Sequence, residues 1–151
     1  MYTKFNTRLV LKYMNLWPPF LGAGVKVKIP KTKDLQIDVS MNLKITNKNM
    51  FGTHFGGSLY AMVDPFYAII LFERLNKEYL VWDKEASIKF KKPGKGNVTA
   101  HFEISDSEVE DIKREVAANG KYEPIFSVDI KNSDGETVAE VTKKLWVKKK
   151  E

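Results

Sequence analysis

No cysteine occurs in the 151 residues, which excludes disulfides, thiolate nucleophiles and cysteine-built zinc sites. Histidine is almost as scarce: His54 and His101 are the only two, too few for a histidine-built metal centre. No metal site is therefore expected. Nor is there an apolar run long enough to span a membrane, since the longest, Ser58 to Phe72, carries Asp64-Pro65 near its middle. The opening Met1-Tyr-Thr-Lys-Phe-Asn-Thr-Arg8 has no apolar segment ending in small residues, so it does not resemble a secretory signal. These absences set the expectation of a cytoplasmic protein with no membrane partner. Negative charge is in short supply: the net charge is +6, and the chain closes on Lys148-Lys149-Lys150. That balance is compatible with nucleic acid, anionic lipid or a phosphorylated small molecule. A nucleic-acid-binding sheet needs aromatics on its wet strand faces for base stacking. The corresponding positions here, Lys26, Lys28, Asp38, Ser40, Asn42 and Lys44, include none, so nucleic acid is not expected as a partner.

What is present is a pattern of hairpins around one apolar segment. The length suits one domain with a substantial core. Phe5, Leu9, Val10, Tyr13 and Met14 are spaced for a helix over 3–16, which Trp17-Pro18-Pro19 should end because proline clashes with a continuing helix. Val25, Val27 and Ile29, then Leu35 to Ile45, alternate with period two and predict two strands joined by a turn at Pro30–Asp34. After a loop from Asn47 to Gly57, the apolar segment from Ser58 to about Asn76 reads as a buried central helix that Pro65 could kink. Strands are expected at about 85–92 and 97–105 around Pro93-Gly-Lys-Gly96. A short helix follows over 107–119, with Ser107 and Glu110 at capping-box spacing and Asn119-Gly120 closing it. Two last strands, about 124–132 and 136–148, join through Asn132-Ser-Asp-Gly135. The expected class is α+β: an antiparallel sheet curled around one long apolar helix, in a single domain of residues 1–151 with residues 1–18 as an N-terminal helical extension.

Asp64 is the one charge inside the apolar segment. An ionised carboxylate in such a place costs several kcal/mol unless paired or solvated through a cleft, which marks it as a functional acid. The plainer reading is a structural acid bonded to Tyr60 or Tyr67 on the same helical face. His54 reads as a loop histidine and His101 as a strand residue.

The run Asn49-x-x-Gly52-x-x-Phe55-Gly56-Gly57, with Asp64 seven residues on, resembles the hotdog-fold acyl-CoA thioesterases of the phenylacetyl-CoA type. Phe90-Lys-Lys-Pro93-Gly-Lys-Gly96 is similar to the next strand and turn of that family, and the likeness is nearest to its poorly characterised branch, known mainly as a domain of unknown function. The resemblance implies a hotdog fold and hydrolysis of an acyl-CoA or acyl-carrier thioester, with coenzyme A present only as part of the substrate. It implies Asp64 as general base or nucleophile, the Gly57 backbone N–H as the group polarising the carbonyl, and Asn49 as a positioning residue. Gly56, Phe55, His54 and Tyr60 would line the substrate site, and Lys91 and Lys92 would meet phosphates. A homodimer or dimer of dimers is implied as well. The family has histidine where Phe55 stands, and often a plain hairpin where this chain inserts the 107–119 helix. Two alternatives stay open: a non-catalytic acyl-CoA or fatty-acyl binder, and a hotdog hydratase or dehydratase, to which His54-Phe55-Gly56 has a superficial likeness.

Overall fold

The computed structural model describes residues 6–150. Helix α1 spans Thr7–Tyr13, its first turn capped by the Asn6 side chain, which accepts from the Leu9 N–H at 3.2 Å. Residues 3–5 of the expected helix lie outside the described residues. A 3-10 turn, Met14–Leu16, leads not to a loop but to a second short helix, α2, Pro18–Ala23. Proline ends a helix that it follows, yet suits the first position of a new one, where no N–H is needed. Gly24, at φ 75°, closes α2 in the left-handed conformation.

Strands β1 (Val25–Lys28) and β2 (Ile37–Asn42) pair antiparallel, with Val25, Val27, Ile37, Val39 and Met41 all turned inward. The apolar segment forms two helices rather than one, α3 (Gly56–Ala61) and α4 (Phe66–Arg74), separated by Met62–Pro65. The pyrrolidine ring clashes with the carbonyl four residues back and offers it no N–H. Ala61 is that residue, and α3 stops there. Strand β3 (Tyr79–Phe90) begins six residues earlier than its alternation predicts, and β4 covers Asn97–Phe102. Helix α5 (Asp106–Asn119) is capped by Ser105 and Glu108, not Ser107 and Glu110: the Glu108 N–H donates to Ser105 Oγ, and the Ser105 N–H donates to Glu108. A two-residue strand β5 (Lys121–Tyr122) precedes the hairpin of β6 (Ile125–Asn132) and β7 (Thr137–Lys149).

The seven strands make one antiparallel sheet in the order β1-β2-β4-β6-β7-β3, with β5 against β7. Its inward residues share a single core with Met62, Val63, Phe66, Ile70 and Leu71 of the central helices. A chain of ring contacts runs from α2 through α4 to the sheet: Phe20–Phe66 at 5.9 Å, Phe66–Phe102 at 5.1 Å, Tyr67–Phe102 at 5.2 Å and Tyr67–Phe126 at 4.8 Å. Among the described residues no helix is long and apolar enough to cross a membrane.

The loop that delivers α3 hangs on Asn47, which is 1 % exposed. Its amide nitrogen donates to the carbonyls of Ala23 and Asn42, both at 2.8 Å, while its oxygen accepts from the Lys44 N–H at 2.7 Å. One side chain therefore ties α2, the end of β2 and the loop together. Replacing it by alanine strands three backbone groups, each unsatisfied group costing about 1–3 kcal/mol. Asn47→Ala is expected to lower unfolding free energy by about 3 kcal/mol, measured by denaturant titration. A loss under about 1 kcal/mol would show that the loop is held by something else.

Candidate functional site

Asp64 lies in the break between α3 and α4, and its side chain is 47 % exposed. It is thus not the buried charge that the apolar segment suggests. The buried charge is Lys143 on β7, which is 0 % exposed. In the run Val141-Thr-Lys143-Lys-Leu145-Trp-Val147 the odd positions point inward, so the lysine takes a core position by strand geometry alone.

Three side chains from separate places converge on its ammonium. Lys143 Nζ donates to Asp64 Oδ1 at 3.0 Å and to the Tyr60 hydroxyl oxygen at 3.0 Å, and lies 3.2 Å from Asp83 Oδ1. The Tyr60 hydroxyl in turn donates to Asp64 Oδ1 at 2.8 Å. Tyr60, one helical turn before Asp64, is the partner that helical spacing offers; Tyr67, the other, donates instead to the Ser127 carbonyl at 2.6 Å. Asp83 reaches the cluster from a β-bulge, where the β3–β7 register shifts between Asp83 and Glu85. The bulge lets Glu85 pair with the outward Lys144 at 3.1 Å while Asp83 meets the inward Lys143.

Electrostatics follow from this packing. Burial alone would lower the Lys143 pKa, but its bonds to Tyr60 and Asp64 and the charges of Asp64 and Asp83 outweigh it and raise the value. Burial pushes the Asp83 carboxyl up, and the Asp64 charge adds to that, against the opposing pull of Lys143. Tyr60 is also raised, by burial first. Both hydrogen bonds to Asp64 end on Oδ1, so Oδ2 accepts none from the described residues. The carboxylate is anchored through one oxygen and presents the other on a half-exposed face, an arrangement suited to a base or a nucleophile.

The remaining sequence-derived residues gather about the start of α3, and most shape the backbone there. Asn49 is wholly engaged in its own loop: Nδ2 donates to Thr53 Oγ1 and the His54 carbonyl, and Oδ1 accepts from the N–H groups of Phe51 and Thr53. His54 is buried, and its Nε2 lies 2.9 Å from the Gly96 carbonyl, to which it must be the donor. Nδ1 is then an unpartnered acceptor, and burial holds the imidazole pKa below its ordinary value. A Cβ on Gly56 would lie 3.0 Å from the Phe90 ring, and one on Gly57 2.5 Å from the Phe55 ring. These glycines let two half-exposed aromatic rings lie against the helix start. A cavity of about 620 Å³ borders Asn49, His54, Gly56, Phe90, Lys91 and Lys92. Lys91 and Lys92 are paired with Glu140, at 3.0 Å, and with Glu136. His101 sits on the wet face, 2.7 Å from Asp38. Among the described residues no group of acids and histidines is placed to hold a metal ion. Lys143 and Asp83 are the site members that sequence reading passed over.

An antiparallel sheet in the order β1-β2-β4-β6-β7-β3, laid on a central helix whose interruption carries an acid, defines a hotdog fold. Residues 6–147 match the model of a domain of unknown function, DUF4442, and the chain belongs to that family. Among solved structures it is similar to a Pseudomonas aeruginosa protein of unknown function called a probable thioesterase, at 18 % identity and TM-score 0.81, with 99 % of this chain and 100 % of that one covered. A protein of unknown function from Chlorobaculum tepidum is similar at 16 % identity and TM-score 0.74, covering 95 % and 94 % of the two chains. A thioesterase from Haemophilus influenzae is similar at 14 % identity and TM-score 0.67, over 97 % and 93 %. No curated protein gives a significant sequence match.

Replacing Lys143 by methionine fills the space but leaves two carboxylates facing each other without a cation. Removing one partner of a buried pair costs roughly 3–5 kcal/mol, and the exposure of Asp64 reduces this to about 2–4 kcal/mol. The folded-state pKa of Lys143 lies above its ordinary 10.5, so its contribution is complete below pH 10.5 and is lost as pH rises through the higher value. Unfolding free energies of the parent and Lys143→Met should therefore differ at pH 7 and converge at strongly alkaline pH. Equal stability at pH 7 would remove the cluster's structural role.

Proposed function

We propose that the protein is a thioester hydrolase acting on acyl thioesters of coenzyme A or a carrier protein, with Asp64 as the acid that attacks or activates water. The observation that carries this reading is the asymmetric anchoring of Asp64: Tyr60 and Lys143 both hold Oδ1, while Oδ2 is left unbonded on a half-exposed face. A purely structural carboxylate beside a buried ammonium would gain from engaging both oxygens. The names of the Pseudomonas and Haemophilus structures support the same reaction class.

In this reading Oδ2 takes a proton from a water as its oxygen adds to the thioester carbonyl. The tetrahedral adduct breaks its C–S bond to expel the thiolate, which receives that proton. In the covalent variant Oδ2 itself adds, the thiolate leaves, and water hydrolyses the resulting mixed anhydride to free acid and carboxylate. Lys143 and Tyr60 fix the direction of the carboxylate, the form of preorganisation that lowers the cost of reaching the transition state. The Gly57 N–H, at the start of α3, is the donor for the carbonyl oxygen. Asn49 acts by shaping the loop that presents it, His54 by fastening that loop to Gly96, and Lys91 and Lys92 by facing the phosphates of coenzyme A. No cofactor enters this scheme.

Asp64→Asn keeps the shape and removes the base. General-base catalysis contributes about 10²–10⁴-fold, so kcat on the best of a panel of short, medium, long and aryl acyl-CoAs should fall by that order. An asparagine variant as active as the parent would end the assignment of Asp64. Retained ligand affinity with no turnover in the parent would favour the non-catalytic binder instead.

Assembly is part of the proposal. Strand β3 is a sheet edge of 12 residues, and from Trp82 to Ser87 it is exposed at every position. Long bare edges invite pairing. Met50, Phe51, Phe55 and Phe90 are exposed near its far end. Asp83 lies on this strand, so a second copy on β3 would build its surface beside the Lys143 cluster. Light scattering at micromolar concentration is expected to give at least twice the chain mass of 17.3 kDa. A monomer would leave the proposed site half built.

A further inference from the structure

We propose that the α1–α2 face is a peripheral docking surface for anionic lipid bilayers. Residues 1–33 contain seven of the 25 basic residues and none of the 19 acidic ones, so this one segment accounts for more than the whole net charge of +6. Arg8, Lys12, Lys26, Lys28, Lys31 and Lys33 form no ion pair with another described residue. Elsewhere the lysines are frequently paired, as at Lys84, Lys91, Lys92, Lys113, Lys143 and Lys144.

The same segment carries a dense exposed apolar patch. Leu9, Val10, Tyr13, Leu16, Trp17 and Leu21 are between 43 % and 67 % exposed. Helical geometry explains the arrangement in α1. Thr7 and Leu11 are buried on one side; Leu9, Val10 and Tyr13 face outward on the other, and Arg8 and Lys12 flank them. A groove of about 660 Å³ runs along the patch as far as Pro65, a seat for an alkyl segment. Exposed leucine with tryptophan and tyrosine beside basic side chains is the pattern of interfacial helices that lie on a bilayer without crossing it.

The surface is tied to the rest of the fold at two points. Thr7 Oγ1 donates to Glu73 on α4 at 2.5 Å, fastening α1. Asn15 brackets Val27, accepting from its N–H at 2.7 Å and donating to its carbonyl at 3.1 Å. Lys26 and Lys28 flank Val27 in sequence but point to the wet face of the sheet, where Lys28 borders Asp38, so the basic side chains on the helical face itself are Arg8 and Lys12. Charge decides between a lipid surface and a second copy of the chain. A two-fold interface would press this basic face against itself, whereas an anionic surface complements it. The absence of a spanning segment, from which no membrane partner was expected, has no bearing on a surface that only rests on lipid. The proposal is independent of what Asp64 does.

Co-sedimentation of the full chain with phosphatidylcholine vesicles, with and without phosphatidylglycerol, tests it. Binding is expected only when phosphatidylglycerol is present, and should weaken as salt rises. Each basic side chain near an anionic surface contributes about fivefold, so Arg8→Glu with Lys12→Glu should lower partitioning by tenfold or more. Leu9→Ser with Leu16→Ser should also weaken binding; these side chains are exposed, so melting temperatures should stay near the parent's. Failure to bind phosphatidylglycerol vesicles would overturn the proposal. So would binding that neither double variant weakens. A Leu9/Leu16 variant that loses an oligomer, from a parent that ignores vesicles, would assign the face to self-association instead.

Discussion

An ammonium group with no exposed surface is the constraint around which the site is organised. Taking Lys143 out of water costs several kcal/mol unless its charge and its donors are met. The fold meets them by bringing in Asp64, Asp83 and Tyr60, and both acids arrive through interruptions of regular structure. Asp64 stands where Pro65 breaks the central helix; Asp83 stands at a bulge in β3. An unbroken helix would carry Asp64 past the lysine along a regular face, and an unbulged strand would pair Glu85 with the position that Lys143 occupies. The irregular backbone and the buried cation are therefore one feature described twice.

This explains what the sequence made legible and what it did not. The hairpins were readable because period-two alternation and Asn-Ser-Asp-Gly turn chemistry are local. Gly135 at φ 79° and Asn132, whose Oδ1 accepts from the N–H groups of Asp134 and Glu136, form the turn as read. Asp64 was found through its charge in an apolar stretch, yet the reason was inverted: it is half-exposed, and the desolvated charge is a lysine 79 residues away. Lys143 left a signal, since it alone is charged among the inward positions Val141, Lys143, Leu145 and Val147. The basic residues crowded around it, from Lys144 to Lys150, made it look like part of a solvated tail. Asp83 left none, because a bulge depends on the register of two strands and not on either one. The proline break was recoverable: counting four residues back from Pro65 gives the last residue of α3.

The motif about Gly56-Gly57 spends most of its side chains on shaping its own loop and the helix start. Asn49 uses both ends of its amide within six residues of loop, and His54 spends its one ring N–H on Gly96. The glycines admit the rings of Phe90 and Phe55 against the first turn of α3. At Phe55, where the resembling thioesterases have histidine, the ring packs on Gly57.

Sheet order sets the two proposed surfaces apart. β3, with Asp83 and the bare edge, closes one side of the sheet; β1, which Asn15 fastens to the α1 segment, closes the other. A second copy added on β3 would extend the sheet and leave both β1 edges at its ends. Pairing through one edge therefore does not consume the other, and in a dimer the basic apolar face would be present twice. Two weak attachments acting together bind far more tightly than either alone when geometry lets both engage. The partition of charge fits this division. Acidic and basic residues are interleaved along β3 and β7, where strands must pair, whereas the acid-free stretch is confined to the edge that pairing leaves open.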